Sequence, residues 1–237
     1  MTLSSTMTHT TRRRTLLGLL ALPLTGIAGG FASTMADPEV AAADPAPVAN
    51  PEAARKVIEK MVNDALALLR DPALKSANKR DERRQRLRAV ADVAFDWEAL
   101  ARSSLGHYWR NLQPEHKTDF VTVFKDLLAN QYMDDIDRFQ GNEAINILSA
   151  KAHGPLVEVK TTLTTGSAEK VPMNYTLHCV NCPPKTGAEA DTTWQIEDLS
   201  IEGVSMVKHY RTSFKRFLVN KSFADLLAVL KRKLGAS

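Results

Sequence analysis

Cys179-Val180-Asn181-Cys182 places the chain's two thiols three residues apart. Such a pair can cycle as a redox dithiol, help hold zinc, or close a disulfide. A redox pair opens a helix after a strand. Here Pro183 and Pro184 follow, and then a loop. Zinc asks for four ligands; His178 adjoins the pair, but no fourth ligand stands at a suitable spacing. In an oxidising compartment the leading reading is a disulfide, and over so short a loop it adds little stability.

Three other residues could do acid–base work in an apolar pocket: Asp198, His178 and Tyr175. No spacing among them makes that case. Asp134-Asp135-x-Asp137 lacks the glycine and closing glutamate of a calcium loop, so it reads as a polar helix face. The six histidines, His9, His107, His116, His153, His178 and His209, are scattered with no i, i+4 pair. There is no Gly-x-Ser-x-Gly elbow, His-Glu-x-x-His, Walker loop or Gly-x-Gly-x-x-Gly. These absences move the expectation from catalysis toward binding, with no metal and no cofactor.

The first 43 residues read as an export signal and cleavage region. Arg12-Arg13-Arg14 precede the apolar run Leu16–Leu24, and no acid occurs before Asp37. Thr11–Leu16 resembles in part a twin-arginine signal; a Sec signal with an extra arginine fits the same residues. Cleavage after Ala32, Ala36 or Ala43 is equally compatible. Residues 44–51, rich in Ala and Pro, read as a flexible tail. The whole chain carries +4. A mild positive excess suits an anionic lipid or an acidic partner, and it is too small and scattered for nucleic acid.

The body, 52–237, begins with helices. Asn50-Pro51-Glu52 opens the first, and Asp71-Pro72 stops it. Leu87, Val90, Ala91 and Ala94 give a second helix an apolar face flanked by Arg84 and Arg88. Asp96 caps a third, which ends at Gly106. Gln113-Pro114-Glu115 opens a long fourth helix to about Phe139, striped by Phe120, Phe124, Leu128, Tyr132 and Ile136. The period then falls to two. Ile145 and Ile147, then Val157–Leu163, Val171–Cys179 and Trp194–Ile196, predict four antiparallel strands, with room for a fifth. From Gly203 helical spacing returns, through Val207, Tyr210, Phe214 and Phe217, and then through Phe223–Leu234. Helices, sheet, helices make an α+β fold of four or five strands and about six helices.

Two stretches carry a resemblance. Asp96, Ala101-Arg102, Leu105-Gly106 and Trp109-Arg110 stand at the spacing Asp-x-x-x-x-Ala-Arg-x-x-Leu-Gly-x-x-Trp-Arg. Trp194, Asp198, Gly203-Val204-Ser205, Val207, Tyr210-Arg211 and Phe214 follow Trp-x-x-x-Asp-x-x-x-x-Gly-Val-Ser-x-Val-x-x-Tyr-Arg-x-x-Phe. Both resemble the MlaC family of periplasmic lipid-binding proteins, also known as toluene-tolerance or ABC-transporter auxiliary proteins. The hopanoid-associated HpnM branch shares these motifs. The Cys-x-x-Cys and the loop 181–191 depart from the family's pattern and bear on the pocket's rim.

The resemblance implies a nuclear-transport-factor-2-like sheet wrapped by helices, with an apolar pocket between them for acyl chains. It implies a monomeric periplasmic carrier whose cargo is phospholipid. The implied partners are an outer-membrane lipoprotein complex and an inner-membrane MCE-domain protein of an ABC transporter. The candidate pocket residues are Tyr108, Phe124, Leu128 and Tyr132 from the helices, Val159, Leu163, Met173 and Tyr175 from the sheet, and Val207, Tyr210 and Phe214 from the signature helix. Ordinary core packing accounts for each of these residue types equally well. Trp97, Trp109 and Trp194 are expected as core anchors, and Arg110 and Arg211 as ties made through buried pairing.

Overall fold

The computed structural model describes residues 49–137, 139, 142–182 and 193–235. The export signal, the tail up to residue 48 and most of the loop after Cys182 lie outside them. The described elements are α1 (Pro51–Arg70), α2 (Arg80–Ala94), α3 (Trp97–Leu105), α4 (Pro114–Ile136), β1 (Ala144–His153), β2 (Leu156–Thr164), β3 (Lys170–Cys179), β4 (Trp194–Ile201), β5 (Val204–Ser205), α5 (Met206–Leu218) and α6 (Phe223–Gly235), with short 3-10 turns between α1 and α2 and between α3 and α4. The fold is α+β, with five antiparallel strands in the order β1-β2-β3-β4-β5.

Helix starts follow local chemistry. The Asn50 side chain accepts the Ala53 N–H at 3.0 Å, and Pro51 occupies the first turn of α1. Asp96 accepts the Ala99 N–H at 2.8 Å and starts α3. Gly106, at φ 61° and ψ −130°, takes a positive-φ conformation open to glycine and ends it. Ala54, Ile58, Val62, Leu66 and Leu69 form the buried stripe of α1, which lies across β1, β2 and β4. α3 packs on α5, and α4 chiefly on α6 and α3.

Cross-strand register sorts the sheet's residues by face. Ile147, Thr161, Met173 and Ile201 form one inner row; Ala150, Val159, Tyr175 and Leu199 form the next. The third row is Ala152, Val157, Leu177 and Ile196. Two irregularities interrupt the alternation, at Leu148 in β1 and at Glu197 in β4.

Gly203 was expected to return the chain to helix. It instead forms a two-residue turn with Glu202, at φ 81° and 51°, which joins β4 to the fifth strand. Positive φ at both positions is the geometry of a tight hairpin. The helix begins only at Met206, capped by Ser205.

Candidate functional site

Ten of the eleven candidate residues join one apolar cluster. Phe124, Leu128, Val159, Tyr175, Val207, Tyr210 and Phe214 are buried in it; Tyr108, Tyr132 and Met173 pack against it half-buried. Leu163 is also buried, at 9 % exposure, but falls outside that cluster among the described residues.

Two walls are recognisable. The first is the inner face of the sheet, where Val159 pairs with Tyr175, and Leu163 with Val171. The second is aromatic and joins α4 to α5. Phe124 meets Tyr210 edge-on at 4.9 Å and Phe214 at 5.5 Å; Phe120 stacks on Phe124 at 5.4 Å. Edge-to-face contacts of this kind add about 0.5–1.5 kcal/mol each beyond area burial. Phe120, on the same stripe as Phe124, was read only as core.

Polar atoms in this interior are few, and some of them are partnered. The Thr161 hydroxyl donates to the Met173 carbonyl at 2.9 Å. The Tyr210 hydroxyl donates to Gln131 Oε1 at 2.7 Å. Gln131 was not singled out in the sequence, since a glutamine on a helix face carries no signal of its own. Trp194 Nε1 and Ser104 Oγ are buried with no partner among the described residues. Burial pushes the Tyr210 phenol up to about 12 and raises that of Tyr175 further above its ordinary value. Neither phenol exchanges a proton readily near neutral pH.

The three acid–base candidates do not converge. Tyr175 faces the core, whereas His178, three residues along the same strand, lies among carboxylates on the other face. Asp198 is engaged at the start of α5, accepting the Ser205 hydroxyl and, at 3.0 Å, the Val207 N–H. The Ser205 hydroxyl in turn accepts the Lys208 N–H at 3.1 Å. The Asp198, Ser205 and Val207 of the second motif thus clasp helix to sheet.

His178 Nε2 is 3.1 Å from Asp96, and its Nδ1 lies 3.1 Å from Glu197 without a well-aligned hydrogen bond. The Glu197 carboxylate raises the His178 pKa above its ordinary value, Asp96 adds to this, and partial burial and Arg102 oppose it.

Arg211 ties the fold, but by donating to the Ser103 carbonyl at 2.6 Å in the last turn of α3, not through a buried ion pair. Arg110 is exposed and makes no such tie to any described residue, which departs from its expected role. Trp109 and Trp194 are buried, as core anchors should be. Trp97 is only half-buried; it stacks on Phe95 at 4.9 Å and donates to Asp92.

Asp137 belongs to no calcium loop. Arg80, Arg83 and Arg84 converge on it at 2.5–2.8 Å, and despite the opposing cost of burial their hydrogen bonds lower its pKa to about 2. Cys179 and Cys182 form a disulfide at the end of β3, against the core. Among the described residues no His, Cys, Asp and Glu group could hold a metal ion, and no helix is long and apolar enough to cross a membrane.

The sequence model of the MlaC protein family matches residues 59–232. No curated protein matches the chain. Among solved structures, the chain is similar to a phospholipid-binding protein from Ralstonia solanacearum, solved in complex with a phospholipid. The TM-score is 0.64 at 19 % identity, over 77 % of this chain and 97 % of that one, a likeness of fold.

Proposed function

Because the chain belongs to the MlaC protein family, we propose that it is a periplasmic phospholipid carrier that performs no covalent chemistry. It takes acyl chains between the inner face of the sheet and the aromatic wall of α4 and α5. It moves them between an outer-membrane lipoprotein complex and an inner-membrane MCE-domain ABC transporter, and residues 1–43 export it.

The observation that supports this reading is that Val159, Met173 and Tyr175 of the sheet belong to one apolar cluster with Phe124, Tyr210 and Phe214 of α4 and α5. Physics supplies the need for a carrier. Exposing two acyl chains of roughly 30 methylene groups, at about 0.8 kcal/mol each, costs on the order of 20 kcal/mol. Free diffusion through water is therefore negligible, and a dry interior offsets the cost. Handover then needs only a difference in affinity between carrier and acceptor.

The test is lipid mass spectrometry on protein purified from the periplasm without detergent. Stoichiometric phospholipid is expected. A hopanoid would keep the fold and change the pathway. Protein that is empty, and that also takes no lipid from vesicles, would overturn the carrier reading.

Leu163→Trp refines the test. If Leu163 borders the cargo, the indole displaces lipid while the fold stays intact. If Leu163 is packed core, overpacking costs about 1–3 kcal/mol and occupancy is unchanged.

A further inference from the structure

The surface cations fall into two groups. Over α1 to α4 most are matched with acids, among them Arg55 with Glu59 at 3.0 Å, Lys60 with Asp64 at 2.7 Å and Lys125 with Asp92 at 2.7 Å, whereas Lys56, Arg102 and Lys117 stand apart from one another with no acid partner among the described residues. From Gly203 to Ala224 the chain has no acid at all, yet it carries Lys208, Arg211, Lys215, Arg216 and Lys221. Arg211 is spent on the Ser103 carbonyl. Lys208, Lys215 and Arg216 are exposed and make no ion pair with any described residue.

Their spacing puts them together. Met206, Val207, Tyr210, Phe214 and Leu218 are the buried side of α5. At 3.6 residues per turn, Lys208, Thr212, Lys215, Arg216 and Val219 share the opposite side. Val204 and Val219 stand at either end of this face, 61 % and 66 % exposed. Beside it runs a shallow groove of about 500 Å³, with Lys208, His209, Thr212 and Arg216 in its lining.

We propose that this face of α5 docks the protein on a bilayer bearing anionic phospholipid. Unpaired cations on one helix side match a plane of phosphates. The two valines are short enough to enter the headgroup boundary without anchoring the protein. A carrier must leave its membrane, and attraction of this kind is reversible: it falls off within a Debye length and weakens with salt. An acidic protein surface is the competing partner. The flat array and the apolar residue at each end favour the bilayer. The proposal concerns docking alone and does not require that the interior hold lipid.

Cosedimentation of the purified mature protein with vesicles tests it. One set is phosphatidylcholine, and in the other a third of the lipid is phosphatidylglycerol. Binding is expected only to the second, and it should vanish near 1 M salt, where the screening length is about 3 Å.

A cation at an anionic surface is worth about a fivefold gain in partitioning, so the triple variant Lys208→Glu, Lys215→Glu, Arg216→Glu should bind roughly 100-fold more weakly or worse. The variant Lys56→Glu, Lys60→Glu, Lys151→Glu changes net charge equally on other surfaces and should bind at least tenfold more tightly than the first. Thermal melts confirm that both are folded.

No binding by the unaltered protein, equal binding to both vesicle sets, or equal loss in the two variants would each overturn the proposal. The first of these would leave an acidic protein as the partner of this face. Mass spectrometry of lipid bound before vesicles are added keeps the carrier reading separate from this one.

Discussion

Along β2 and β3 the two faces of the sheet divide residue by residue. Val157, Val159, Thr161 and Leu163 point into the core and are nearly inaccessible; Glu158, Lys160 and Thr162 between them reach solvent. Across β3, Tyr175 and Leu177 continue the dry face, and Asn174, Thr176 and His178 the wet one. The inner face holds by exclusion of water and by shape. The outer face has charges that act at fixed geometry, and these concentrate where β4 meets α3 and α5. What differs is the kind of residue that can matter: on the inner side no single group is special, and on the outer side a single carboxylate can be.

The largest expected effect tests the inner face. Trp194→Ala, at a position 2 % exposed, should cost about 3–5 kcal/mol in urea denaturation. Lys160→Ala, outward on β2 and among the described residues paired only with Glu158 at 3.4 Å, should fall within about 0.5 kcal/mol. A small cost for Trp194→Ala would mean that the end of the sheet near the disulfide is not packed as a dry core.

The next effect tests whether the polar side is more than solvated surface. Asp198→Ala removes the acceptor of the Ser205 hydroxyl and the Val207 N–H. It leaves the start of α5 without its negative partner, at an expected cost of about 2–3 kcal/mol. Asp198→Asn keeps an oxygen in place and should recover part of that loss. If Asp198→Asn is as stable as the unaltered protein, charge contributes nothing at this helix end; if it is no more stable than Asp198→Ala, the neutral oxygen contributes nothing and the whole loss is one of charge.

The same division explains what was legible in the sequence. Strict alternation exposed β2 and β3 almost to the residue, because it records one dry and one wet face. It failed at irregularities. β1 was read only at Ile145 and Ile147, because Leu148, 64 % exposed, breaks the alternation before Ala150 returns to the core. In β4 the extra residue at Glu197 shifts Leu199 and Ile201 off a simple period of two. β5, with two residues, is too short for any periodicity.

The polar side was least legible. His178 meets Asp96 and Glu197 from three different elements, and the partner of Arg211 is a backbone carbonyl, which no side-chain pattern encodes. For the apolar walls, residue type located the cluster. It could not separate a side chain that touches cargo from one that touches only its neighbours, because both are apolar for the same reason.

The smallest effect is a pH dependence centred on His178. Glu197 and Asp96 raise its pKa in the folded state above the ordinary 6.5, against partial burial and the Arg102 charge. An unfolded chain binds this proton less tightly. The stabilisation is therefore complete below about pH 6.5 and is lost as pH rises through the folded value. Melting temperatures across neutral and mildly alkaline pH should show the unaltered protein losing stability relative to His178→Gln, with a constant difference at lower pH. The carboxylates face His178 from β4 and from the start of α3, so Glu197→Gln should remove most of the trend, and Asp96→Asn part of it while also weakening the cap at Ala99. A difference between the unaltered protein and His178→Gln that stays flat over the whole range would mean that the outer face, like the inner one, is held without charge. The contrast between the two faces would then reduce to solvent exposure.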